Sequence, residues 1–345
     1  MDRAIEIIPS TFNAKPEQIH FGPSTSQNTY VLANALRPYW NEGDNIIVTN
    51  QDHEANIGAW RRLENSGINV REWKVDKETG LLNPNDFEGL ICEKTRLAAV
   101  THASNLAATI NPIRTISEIV HSVGGLLVAD GVSFAPHASI DIQELNCDVY
   151  LYSTYKTYGP HIGLMYTSEN VSEQVTNQGH FFNSEKPTYR LTPAGPDHAS
   201  VAACAGMIDY YEEIYEHHFG KDTSGLRDRI VKVFDLFGEH EEQLMTPLIN
   251  YILSRGDFRL IGSHSTSRDE RAPTIAFHSQ TATSEAIYDA LINSYISCGH
   301  GNFYAHRLTE AIGLNPEDGV VRLSMVHYNT LDEVERAIEV LESIG

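Results

Sequence analysis

The chain has 345 residues, 41% of them apolar and 21% charged, which is ordinary for a globular protein and ample for one large and one smaller domain. Its 25 basic residues against 46 acidic ones leave a net charge of −21, a surface that repels nucleic acid and anionic membranes and favours a small-molecule partner. The four cysteines form no CxxC, the sixteen histidines show no metal-ligand spacing, and no run is apolar enough for a membrane helix or a signal core, so the expected location is the cytoplasm.

The first two-thirds alternates short β-branched runs with helical stretches. Strands are expected at 17–22, 45–50, 69–75, 96–104, 125–132, 148–154 and 162–168. Helical periodicity fills most of the intervals. The segment after Pro112, closed by the pair Gly124-Gly125, is the best punctuated. Such alternation implies βαβ units and a mostly parallel sheet. The linker between the last two strands is too short for a crossover helix, so 162–168 should run antiparallel to its neighbours. Beyond 169 come a loop-rich stretch (176–197), a helical region (198–218) and a further helix around 222–255. Strands at 258–262, 273–279, 295–299 and 320–327 and a closing helix capped by Thr330 complete a smaller α+β unit. The expected domains are 1–220 and 221–345.

Chemistry-bearing residues fall at strand ends. Asp130 closes the fifth strand, and Lys156 follows the sixth with Ser153 three residues before it. Strand C-termini line the ligand crevice of an open parallel sheet. A carboxylate and an amine delivered there suit pyridoxal phosphate (PLP): the amine forms a Schiff base with its aldehyde, and the carboxylate pairs with its pyridine nitrogen. Taken singly, an Asp ending a strand is an ordinary cap and a lone Lys an ordinary surface charge. Ser153-x-x-Lys156 is also shared with penicillin-binding enzymes, but their SDN and KTG segments are missing here.

Further features sit at strand ends, in the adjoining loops, or on a strand of the small unit. Thr25 and Ser26 open a helix after the first strand, where hydroxyls and backbone N–H groups can hold a phosphate or merely cap the helix. His53, after the second strand, can lie on a pyridine ring or make a plain loop hydrogen bond. Asn105 can donate to the cofactor's phenolic oxygen or serve a turn. Ser133 can touch the ring oxygen, whereas His137 reads as structural. Tyr155 can reach the phosphate or fill a core or interface. Arg322, on a strand of the small unit, can clamp a substrate carboxylate or make a structural ion pair.

In this order the residues resemble the class V aminotransferases of PLP-dependent fold type I, in the cysteine-desulfurase and selenocysteine-lyase branch. The resemblance runs through "DHEANIGAW", "THASNLAATINPI", the stretch from "LLVADGVSFAPH" to "STYKTYGPHIGLMY", "GNFYAHRLTEAIGL" and "VVRLSMVHYNTLDEVERAIEVL". It implies that Lys156 carries the cofactor, Asp130 pairs with the ring nitrogen, His53 stacks on the ring and Asn105 contacts the ring oxygen. Ser26 and Ser153 would bind phosphate and Arg322 the substrate carboxylate, in a homodimer with shared sites. The chain departs from the family at Tyr304, where desulfurases carry a nucleophilic Cys, at Tyr155 for a His, at Ser133 for a Gln, and at Ala194-Gly195 for a Gly-Thr pair that reaches the partner's phosphate site. Cys298 is expected to be a buried strand cysteine. Family members also carry a further segment ahead of the helix that begins here at Met1.

The expected function is aminotransferase- or lyase-type chemistry on the α-amino group of a small amino acid. The alternatives are a cysteine desulfurase or selenocysteine lyase, and a PLP-binding protein left inactive by a shortened N-terminus.

Overall fold

The computed structural model describes residues 1–344. Seven strands form the larger sheet: β1 (Ile19–Gly22), β2 (Asn45–Thr49), β3 (Asn69–Trp73), β4 (Thr95–Thr101), β5 (Leu126–Asp130), β6 (Val149–Ser153) and β7 (Gly163–Thr167). Their order is β1-β7-β6-β5-β4-β2-β3. All pairings are parallel except the two made by β7, which runs against both β6 and β1. The short linker expected from sequence accounts for this, because only a tight connection joins β6 to β7 and a parallel crossover needs a helix.

The central strands β2, β5 and β6 are buried along their whole length because helices cover both faces. Along β4, Leu97 and Ala99 face one core with Leu32, Leu36, Ile57 and Trp60. Ala98 and Val100 face the other, with Ile116, Val120, Ile208 and Tyr211. Helices Thr25–Leu36 and Glu54–Arg61 therefore blanket one side, and Ile113–His121 and Ala205–Phe219 the opposite side. Full burial of one such aliphatic or aromatic side chain contributes about 1.5–3 kcal/mol.

The smaller sheet comprises β8 (Phe258–Leu260), β9 (Thr274–Ser279), β10 (Gly299–Gly301) and β11 (Val320–Ser324), ordered β10-β11-β9-β8 and antiparallel throughout. The helix Leu226–Ser254 joins the two units. Its first half (Ile230, Val233, Phe237) packs in the larger core and its second half (Leu244, Leu248, Ile252) in the smaller. Thr330 caps the closing helix Leu331–Ser343 in a capping box with Glu333, as its sequence indicates.

Three expectations need correction. No strand spans 295–299. Tyr295 takes a positive φ of 60° directly after helix Ser284–Asn293, and the backbone N–H groups of Tyr295 and Ile296 are spent on the helix's last carbonyls, so pairing starts only at Gly299. Cys298 is accordingly half-buried and outside any strand. The helical region after 197 is two helices, His198–Ala203 and Ala205–Phe219.

Candidate active site

The C-terminal ends of β1, β2, β4, β5 and β6 meet at one edge of the larger sheet. A cavity of about 220 Å³ opens there, lined by Thr25, Ser26, His53, Asn105, Asp130, Ser133, Ser153, Tyr155 and Lys156. Arg322, assigned from sequence to the substrate carboxylate, is not on its wall. Its guanidinium reaches the site's edge, where Nη1 donates to the Asn105 carbonyl at 2.9 Å.

Thr25 is the first residue of its helix, and Ser24 caps it by accepting from the Gln27 N–H at 3.2 Å. The Thr25 hydroxyl lies 2.6 Å from the Ser153 hydroxyl and donates to the Tyr152 carbonyl at 3.1 Å. Hydroxyls from two elements thus converge on a helix N-terminus, where free N–H groups and the dipole favour an anion.

Asp130 is 4% exposed and accepts one hydrogen bond, from the Val132 N–H at 2.9 Å. Burial raises its pKa to about 6, although the nearby Lys156 charge pulls the other way. Lys156 lies in the tight turn Thr154–Thr157. Burial, then the Arg322 charge, lowers its pKa, with Asp130 opposing both. Among the described residues no carboxylate forms an ion pair with it.

His53 caps the helix Glu54–Arg61, its Nδ1 accepting from the Ala55 N–H at 3.0 Å. Capping therefore fixes Nδ1 as the acceptor and leaves the proton on Nε2. Burial, then Lys156 and Arg322, pushes the ring's pKa down to about 4, so it is neutral at ordinary pH. The plain loop role and a place on the cavity wall coexist in this residue.

Asn105 gives Nδ2–H to the Phe303 carbonyl at 2.8 Å, while its buried Oδ1 has no partner. Ser133 is half-buried on the wall. Tyr155 is neither core nor bonded: 46% exposed, its ring stacks on His161 with centroids 4.7 Å apart and planes within 4°. His137 pairs with the buried Glu241 at 3.0 Å, the structural role its sequence suggests. Tyr304 places its ring 5.2 Å from His53.

Several residues of the site escaped sequence reading. His161 and Thr101 line the cavity. Asp52, next to His53, is buried, accepts from Thr49 and from Asn56 at 2.7 Å, and has its pKa raised to about 7 by burial. An acid directly before His53 was visible in sequence; its burial was not.

These residues fit PLP. The volume admits one small ring with a phosphate, and the wall supplies a helix N-terminus, three hydroxyls, a buried carboxylate and a half-buried amine. The orphaned Asn105 Oδ1 marks a polar position that the protein leaves unsatisfied.

Comparison with known proteins gives the family and the fold. The class-V aminotransferase family profile matches residues 1–238 and 232–337. An aminotransferase-like protein of Gibberella zeae, FGM3, is 36% identical over 99% of this chain and 82% of its own length. The cysteine desulfurase-like protein ustD of Aspergillus flavus is 30% identical over 98% of this chain and 76% of its own. The apo structure of a cysteine desulfurase from Thermococcus onnurineus superposes with a TM-score of 0.85 at 23% identity, covering 99% of this chain and 83% of the other, which establishes the fold. By profile, relatives and architecture, this chain is a member of the class-V aminotransferase family of PLP-dependent enzymes.

Proposed function

We propose that the chain acts on the α-amino group of a small amino acid in aminotransferase- or lyase-type chemistry, with Lys156 as the cofactor-bearing lysine. The observation that carries this is the half-buried Lys156 amine, which makes no ion pair among the described residues, in the same cavity as the buried Asp130 carboxylate. When bound, PLP supplies an electron sink for charge developing at the substrate Cα.

The chain's own residues do the rest. Lys156, kept towards its neutral form by burial and by Arg322, takes and returns the proton at Cα. Asp130 holds a proton-bearing ring nitrogen by charge and hydrogen bonding. Thr25, Ser26 and Ser153 grip the phosphate with the helix N-terminus, and Tyr155 flanks it. His53, neutral and fixed in tautomer, covers one ring face, and Asn105 and Ser133 contact the ring oxygen. Arg322 takes the substrate carboxylate, because a planar fork with no carboxylate partner among the described residues can bind one in a bidentate manner.

Residues 1–220 serve in this reading as the cofactor domain and 221–345 as the domain that brings Arg322. A cytoplasmic homodimer is part of the same proposal. Support for the dimer comes from two exposed apolar features, Phe181 and Phe182, 85% and 68% exposed, and an apolar groove that includes Phe21, Pro193 and Ala194. Light scattering in solution tests it. Among the described residues no helix is long and apolar enough to cross a membrane.

Desulfuration is the weaker reading for this chain despite the names of its relatives. Tyr304 stands where the nucleophilic thiol would be, and burial raises the pKa of Cys298 to about 11.

The test is the visible spectrum of PLP-loaded protein before and after borohydride, followed by peptide mapping. A pyridoxyl group on Lys156, with spectral shifts on adding amino acids, is the expected result. A pyridoxyl group on another lysine overturns the assignment, and a protein that takes up no PLP overturns the function.

A further inference from the structure

Arg322 does not stand alone. Its guanidinium carbon lies 3.9 Å from the centre of the Phe303 ring, within range for a cation–π contact. One N–H is committed to the Asn105 carbonyl, and the Asn105 side chain donates to the Phe303 carbonyl at 2.8 Å. Asn105, Phe303 and Arg322 therefore form a closed triangle that links the end of β4 to a loop and a strand of the smaller unit.

The backbone is arranged to permit it. In the β10–β11 pairing the residue opposite Arg322 is Gly299, and a Cβ there would come within 2.8 Å of the Phe303 ring. The missing side chain leaves the space in which the ring lies on the guanidinium. Phe303 and Tyr304 both adopt left-handed conformations, with φ of 50° and 60°, unusual for two consecutive aromatic residues. The turn is braced on several sides. Asn302 Oδ1 accepts from the Tyr304 N–H at 3.0 Å, the Ala305 N–H bonds the Asn302 carbonyl at 2.8 Å, and the Tyr304 carbonyl accepts from the Glu54 N–H at 3.0 Å. A strained conformation kept by this many contacts points to a role for what the turn presents.

We propose that Phe303 is a positioning residue that fixes the plane of Arg322, so that the guanidinium offers its free N–H edge to a substrate carboxylate. The inference deepens the reading of Arg322 as the carboxylate clamp and rests on it. With one face on an aromatic ring and one N–H on a carbonyl, the side chain loses most of its rotational freedom before any ligand arrives, which lowers the ordering cost of binding.

Two generic probes separate the issues without knowledge of the natural substrate. Aminooxyacetate and O-methylhydroxylamine both react with lysine-bound PLP, and only the first carries a carboxylate. The readout is the ratio of their rates, followed by absorbance and normalised to the same ratio for free PLP. Arg322→Gln should abolish the carboxylate preference. Phe303→Leu should lower the preference about three- to thirty-fold, the range expected for a cation–π contact, while Phe303→Tyr keeps it within about twofold. If Arg322→Gln abolishes the preference and Phe303→Leu leaves it intact, the positioning role is wrong and the clamp stands. If Arg322→Gln leaves it intact, the clamp itself is wrong, and the positioning role with it. Should Phe303→Leu fail to fold, Gly299→Ala displaces the ring without altering it, and the same loss is expected. In the cofactor-free protein, phenylglyoxal should modify Arg322 faster in Phe303→Leu than in wild type; equal rates count against the positioning role.

Discussion

Gly163 sits opposite Ser153 across the antiparallel β6–β7 pair, and the Ser24–Thr25 turn rests directly on it. A Cβ at Gly163 would fall 2.4 Å from the Ser24 carbonyl carbon and 2.6 Å from the Thr25 nitrogen. The helix N-terminus reaches the Ser153 hydroxyl because the strand beneath it is bare at this residue.

Gly163→Ala should therefore push the Ser24–Thr25 turn off the sheet and spoil the phosphate end of the cavity. Overpacking of this kind costs about 1–3 kcal/mol, and if that cost falls on cofactor binding the PLP dissociation constant rises roughly five- to hundredfold. Fluorescence titration of the cofactor-free variant measures it. Unchanged affinity would show that the turn does not contact the cofactor.

Asp130 makes a prediction about stability and pH. Its folded pKa is raised from 3.8 to about 6, so as pH rises the unfolded carboxyl ionises first and folding loses support between those values. Above about pH 6 the penalty is complete. Asp130→Asn removes it and should stabilise the cofactor-free protein by on the order of 3 kcal/mol at pH 7.5, with no gain below about pH 4. Saturating PLP should reverse the order at pH 7.5, because wild type binds the cofactor more tightly and gains more by mass action. Denaturant titrations at the two pH values, with and without PLP, check both signs.

The thiols should separate clearly in alkylation by iodoacetamide at pH 7.5. Hydrogen bonding from the Lys94 backbone holds the Cys92 thiol below its ordinary range, with Thr95 and Asn45 adding to it. Burial pushes Cys298 and Cys204 up to about 11, and Cys147 higher still. Cys92 should label first, and at least about tenfold faster than Cys298, since the thiolate is the reacting form. Preferential labelling of Cys298, coupled to loss of sulfide release from L-cysteine in Cys298→Ser, would revive desulfuration.

His53 should contribute no ionisation between pH 5 and 8, because its folded pKa lies near 4. His53→Asn retains an acceptor for the Ala55 N–H yet removes the ring, so it should keep the protein's melting temperature and lose turnover about 10²- to 10⁴-fold. A large fall in melting temperature with catalysis intact would leave the residue as a cap only.

Local sequence determined much of this protein. Apolar runs bounded by loops specified the central strands β2, β5 and β6, because these are buried along their whole length. Linker length alone set the antiparallel turn of β7, and the placement of Asp130, Lys156, His53 and Asn105 at strand ends located them on one edge of the sheet. The segment 295–299 misled because an apolar run beside a glycine looks like a strand, while the preceding helix terminus claims its backbone. What only the tertiary structure decided are contacts between residues remote in the chain. Asn105 meets Phe303 and Arg322 across separations of 198 and 217 residues, and Gly163 matters for a turn nearly 140 residues earlier. No periodicity or spacing encodes such pairs. They arise from packing, which also governs the burial that moves the charges of Asp130, Lys156 and His53.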